Sequence, residues 1–128
     1  KNLAPNLFVA PPTISQYLAI SALNYDAYLK KVVKDYKKNM ELLYESLPKI
    51  GFMPVLKPQG SFYLYADVTR ISKDSKKLCK ILLKKHGLVL TPGIDFDSIE
   101  GKKYVRFCYS YPKKDIIKGI KKLNLIFS

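Results

Sequence analysis

Residues 61–68 read SFYLYADV, and their alternation decides the fold. Phe62, Leu64, Ala66 and Val68 fall on one side of the segment, with Tyr63, Tyr65 and Asp67 on the other. A period of two with one apolar side is the pattern of a β-strand lying on a core. Upstream the period changes. Tyr25, Tyr28, Leu29, Val32, Val33, Tyr36, Met40, Leu43, Tyr44 and Leu47 recur at three-four spacing, which predicts one long amphipathic helix of about six turns. Pro48 and Gly51 are expected to end it, and FMPVLKPQG (52–60) reads as a short strand entering a turn at Pro58 to Gly60. Before the helix, Pro5, Pro11 and Pro12 predict an extended lead-in over residues 1–12, and Thr13 or Ser15 supplies a hydroxyl that can cap the first helix.

Downstream the two periods alternate again. Ser72 to His86 predicts a lysine-rich helix with Leu78, Ile81 and Leu82 inward, and Gly87 is placed to stop it in the left-handed conformation. LVLTPG (88–93) reads as a short strand broken at Pro92 and Gly93, IDFDSIEGKK (94–103) as a loop, and YVRFCYS (104–110) as another strand. A helix from about Pro112 to Leu125 closes the chain, with Ile116, Ile117, Ile120 and Leu123 on one side. The expectation is a single α+β domain over residues 1–128: a small mixed or antiparallel sheet with packed helices, including one long N-terminal amphipathic helix.

Composition narrows the function. A chain of 128 residues with 48% hydrophobic and 26% charged residues has enough apolar side chain for a packed core, which excludes a disordered tail. No apolar run approaches the roughly 20 residues that cross a bilayer, and KNLAPNLFVAPP at the N-terminus lacks the hydrophobic stretch of a secretion signal. A soluble cytoplasmic protein without a membrane partner is expected. Cys79 and Cys108 form no CxxC pattern and read as two buried, reduced thiols. His86 is the only histidine, so a histidine-based metal cluster is excluded and no metal ligand is assigned. The net charge of +13 raises the question of a nucleic-acid partner. The lysines fall between the apolar positions of the helices, as on a solvated face, and arginine, the usual reader of bases, is scarce. Nucleic-acid binding is therefore not the first expectation.

Only Arg70 and Arg106 among 23 basic residues are arginines, and only Arg106 interrupts a strand-like run. It shares a strand face with Tyr104 and Cys108, opposite Val105, Phe107 and Tyr109. A guanidinium among aromatic residues needs an anionic partner to offset lost hydration. Asp67, Asp95, Asp97 and Glu100 are candidates within the chain. The alternative is the carboxylate of a ligand, which arginine grips through two parallel donors that lysine cannot reproduce.

APPTISQYLAISAL (10–23), KPQGSFYLYADV (57–68), LVLTPGIDF (88–96) and YVRFCYS, in this order and at these separations, resemble the C-terminal part of fold-type I, pyridoxal-phosphate-dependent aminotransferases of the aspartate aminotransferase family. The resemblance covers essentially the whole chain. It implies that Arg106 binds the substrate α-carboxylate, that Gly60 lies in a turn passing the active site, and that Phe62 is a wall of the substrate pocket. A core aromatic on a strand fits Phe62 equally. Pro92 and Gly93 resemble the turn that shapes the loop over the site.

In the family, the cofactor-binding lysine, the aspartate that pairs with the pyridine nitrogen and the phosphate-holding residues lie upstream of the region resembled. Lys1, in KNLAPNLF, lacks the surroundings of the family's lysine. The resemblance thus implies a small domain, from a longer enzyme or half of a split one, with the large cofactor-binding domain absent. No catalytic and no cofactor-binding residue is expected in this chain, and neither bound pyridoxal phosphate nor transamination is expected of it alone. The complete enzyme would act on amino acids and 2-oxo acids as a homodimer. A stand-alone basic module that keeps the fold and binds RNA, DNA or protein is the alternative.

Overall fold

The computed structural model describes residues 10–127. The lead-in before Ala10 and Lys1 lie outside the described residues. Contacts divide the chain into two compact units, Lys1–Val33 and Lys34–Ser128.

The described part of the first unit holds α1 (Thr13–Ala22) and the start of α2 (Asp26–Ile50). The predicted hydroxyl cap is not used. Pro12 occupies the N-cap of α1 and its carbonyl accepts from the Ser15 amide at 2.9 Å, so Thr13 and Ser15 lie inside the helix. α1 buries no residue. On α2 the long apolar stripe divides: Tyr28, Leu29 and Val33 are at least half exposed, whereas Met40, Leu43, Leu47 and Ile50 are buried. Periodicity marks which face is apolar; within the second unit that face is buried from Asn39 onward at Met40, Leu43, Leu47 and Ile50. Pro48 does not end α2 as expected but lies inside its last turn. Its missing amide costs one ladder bond, and the helix stops two residues later because Gly51 turns to a φ of 100°.

The second unit is built on a four-stranded antiparallel sheet in the order β1-β2-β4-β3, from β1 (Met53–Pro54), β2 (Tyr63–Asp67), β3 (Thr91–Pro92) and β4 (Tyr104–Cys108). With helices packed against it, this is the α+β architecture expected. β2 and β4 share one alternation, in which Leu64, Ala66, Val105 and Phe107 are buried and the residues between them are half-buried. α3 (Ser75–His86) begins later than predicted because Asp74 caps it, accepting from the Lys77 amide at 2.9 Å. Its inward residues are Leu78, Cys79 and Leu82, while Ile81 is exposed, contrary to expectation. Gly87 ends it at φ 62°, ψ 30°, as its position predicts.

The strand expected from Leu88 shrinks to Thr91–Pro92. Leu88 still donates its amide back to the Leu82 carbonyl at 3.1 Å, so the chain has not left the helix cap in time to pair earlier. The expected loop 94–103 includes most of two 3-10 turns, Gly93–Asp95 and Gly101–Lys103. α4 (Lys113–Phe127) returns over the sheet, burying Ile116 and Leu123 and leaving Ile117 outside. Phe52 is fully buried at the centre of the core, edge-on to Phe107 at 5.4 Å and to Phe127 at 5.5 Å. Cys79 is buried, but Cys108 is only half-buried because it lies on the open face of the sheet beside Arg106.

Candidate functional site

The face of the sheet turned away from the core carries Tyr63 and Tyr65 from β2 and Tyr104, Arg106 and Cys108 from β4. Arg106 is held in register on both sides, opposite Tyr65 on β2 and Thr91 on β3. Its Cζ lies 3.9 Å from the centre of the Tyr63 ring and 4.4 Å from that of Phe96. In the guanidinium, Nη2 donates to the Thr91 hydroxyl at 3.4 Å, a long bond.

No carboxylate among the described residues pairs with Arg106. Three of the four acidic residues considered as partners are engaged elsewhere. Asp67 accepts from the Thr69 amide and hydroxyl at 2.7 and 2.6 Å, Asp97 from the amides of Ile99 and Glu100, and Glu100 pairs with Lys103, whose ammonium it holds above the ordinary lysine range. The internal salt bridge is therefore not formed within the described chain.

Phe62 is 39% exposed and is not a core residue. Its ring packs on Tyr63 at 4.2 Å, one ring removed from Arg106. Gly60 stands in the preceding turn, where the Tyr109 hydroxyl donates to the carbonyls of Gly60 and Ser61 at 3.2 and 3.1 Å. Ser61 takes a left-handed φ of 65° there, a conformation that a non-glycine residue adopts only when its neighbours hold it. The exit of β4 is held from the other side. The buried Asn39 carboxamide donates to the carbonyls of Tyr109 and Tyr111 at 3.1 and 2.8 Å.

Thr91, Tyr63 and Phe96 were not singled out from sequence as neighbours of Arg106. The signal for Tyr63 lies in the register of two alternating strands; Phe96 is the one aromatic residue of the loop 94–103. A cleft of about 510 Å³ adjoins the guanidinium, with Leu88, Leu90, Ile116 and Ile120 among its apolar lining. Burial, with smaller contributions from Asp97 and Tyr104, raises the pKa of Tyr65 above the ordinary tyrosine value, so its hydroxyl stays protonated at neutral pH.

No buried lysine that could hold pyridoxal phosphate covalently occurs among the described residues. Every described lysine is exposed except Lys103, which is half-buried and paired with Glu100. No group of three or more histidine, cysteine or acidic residues that could hold a metal occurs among the described residues. No helix among them is long and apolar enough to cross a membrane.

Residues 1–123 match the model of the aminotransferase class I and II family. The chain belongs to that family. As a class I and II aminotransferase sequence it is 34% identical over 124 residues to the valine–pyruvate aminotransferase of Mycobacterium tuberculosis, covering 95% of this chain and 32% of that protein. To the LL-diaminopimelate aminotransferase of Dehalococcoides mccartyi it is 36% identical over 119 residues, covering 92% and 30%. Its fold is similar to the crystal structure of an aminotransferase from Mycobacterium tuberculosis, with a TM-score of 0.88 and 34% identity over 98% of this chain and 33% of that one. The chain thus spans about a third of the length of the aminotransferases it matches.

Proposed function

We propose that this chain is the small, C-terminal domain of a pyridoxal-phosphate-dependent aminotransferase of the aspartate aminotransferase kind, and that Arg106 holds the α-carboxylate of the amino acid or 2-oxo acid. The observation that carries the reading is the state of the guanidinium: an arginine on a sheet, flanked by aromatic rings, with no carboxylate of the described chain within ion-pair distance. Such a charge favours an anionic ligand, and a planar carboxylate matches its parallel donors.

Arg106 contributes orientation. A carboxylate fixed at both oxygens fixes the C–Cα axis, so that a second attachment at the amino or keto group orients the reacting bond, and holding that bond at a fixed angle lowers the barrier without new chemistry. The cofactor, its lysine and its phosphate site are to be supplied by a large domain, on the same polypeptide or on a second one. Two observations support that partner. The relatives are about three times as long as this chain. Moreover, Ile14, Tyr17, Leu18, Leu23, Tyr28 and Leu29 of the first unit are each at least half exposed, more apolar surface than an isolated helical segment keeps in water. With substrate carboxylate on one domain and cofactor on the other, binding draws the two together over the reacting atoms. The complete enzyme is proposed to be a homodimer.

The test is the intact mass and visible absorption spectrum of the protein purified from its source. A yellow chain about three times this length, whose spectrum shifts on adding an amino acid, is expected. A colourless chain of this length with no large-domain polypeptide bound to it would overturn the reading.

A further inference from the structure

We propose that Tyr63 and Phe96 are positioning residues that fix the plane of the Arg106 guanidinium, so that a carboxylate can reach it only along its N–H edge. The proposal rests on the assignment of Arg106 to the substrate carboxylate and adds how that arginine is aimed.

An arginine side chain turns about four bonds, and a strand fixes only its root. Here the far end is met by two rings from different elements, Tyr63 from β2 at 3.9 Å and Phe96 from the loop after β3 at 4.4 Å. A ring face attracts the cation through its quadrupole and covers the broad side of the guanidinium, while the N–H donors point outward in the plane. The only in-plane partner among the described side chains is the Thr91 hydroxyl at 3.4 Å.

Each ring is itself held. Tyr63 lies opposite Cys108 in the β2–β4 register, and its ring packs on Phe62 at 4.2 Å. Phe96 donates its amide to the Gly93 carbonyl at 2.9 Å. Gly93 is pressed against Gly101, whose carbonyl accepts from the fully buried Ser75 hydroxyl at 3.0 Å. The loop that carries Phe96 is thus pinned at both ends. Phe96 is nevertheless 56% exposed, so core packing does not explain a large aromatic residue there; the guanidinium does.

The experiment uses the protein at the length its source makes it, labelled with ¹⁵N-arginine, with the Arg106 side-chain signal assigned by its loss in Arg106→Lys. Rotation about the Arg106 Nε–Cζ bond is expected to be slower than that of the exposed Arg70. Phe96→Leu should speed it, and the Kd for pyruvate, a probe with a single carboxylate, should weaken by about five- to tenfold. Phe96→Tyr should restore both, which a loss of folding in the leucine variant could not mimic. Rotation or pyruvate affinity unchanged in Phe96→Leu would overturn the proposal. Slow, Phe96-dependent rotation together with no response of Arg106 to pyruvate would instead overturn the carboxylate assignment beneath it.

Discussion

Gly93 and Gly101 lie backbone against backbone: a Cβ on Gly93 would stand 2.6 Å from the Gly101 carbonyl oxygen, and also collide with the Tyr65 hydroxyl and the Tyr104 carbonyl at 2.9 Å. The need here is for close approach, since neither glycine has a positive φ. Gly93→Ala is expected to cost about 2–3 kcal/mol of stability, because the obstacle includes backbone that cannot swing aside. Urea unfolding should show the midpoint lowered with its slope unchanged. A midpoint equal to wild type would mean that the two turns can part without loss.

Arg106→Lys keeps the charge and removes the fork. In the complete enzyme it is expected to raise KM for both the amino acid and the 2-oxo acid, and to lower kcat, since a carboxylate held by one donor is poorly oriented. A loss of about 2–3 kcal/mol corresponds to a fall of roughly 30- to 150-fold in kcat/KM. Steady-state kinetics in both directions decide it, and unchanged constants for both substrates would remove Arg106 from the site.

Asn39→Leu replaces a buried donor with an apolar side chain of similar size. The carbonyls of Tyr109 and Tyr111 then lose their bonds from α2. The expected cost is about 2 kcal/mol, moderated because Asn39 Oδ1 is already buried without a partner among the described residues. Thermal unfolding followed by circular dichroism should register it as a lower Tm; an unchanged Tm would mean that the carbonyls find other donors.

Burial, with a smaller contribution from Asp95, pushes the Cys79 thiol up to about 11. Below pH 9.0 the thiol is protonated in folded and unfolded chains alike, and its contribution is level. Above that the unfolded chain releases the proton first, so stability falls as pH rises towards about 11, by up to about 2 kcal/mol. Cys79→Ala should be less stable at neutral pH but lose less across that window. Parallel stability curves for the two proteins between these pH values would contradict the account.

Local signals carried most of the fold. The alternation of β2 and β4, the Gly87 stop and the apolar face of α2 follow from period and turn chemistry alone. What was not legible depends on contacts between distant segments. Nothing near Leu88 announces that its amide is still bonded to Leu82, and nothing near Tyr28 or Val33 says that these two apolar residues are exposed. Arg106 was legible as a site residue because the chain otherwise prefers lysine. Its aromatic neighbours were not, since Phe96 comes from a loop and reaches the guanidinium only when the two glycine turns close on each other.

The sheet order has a consequence for synthesis. Of the four strands β4 is the last to leave the ribosome, yet it lies between β2 and β3 and is hydrogen-bonded to both. Until residue 108 emerges, among the described strands β2 has only the two-residue β1 beside it and β3 has no partner. A nascent chain halted before Tyr104 therefore carries helices and an open strand edge but no sheet that can close, and such an edge is a template for unwanted pairing. Arg106 is placed in the same event that completes the sheet, so a molecule that has assembled its fold has also assembled its arginine.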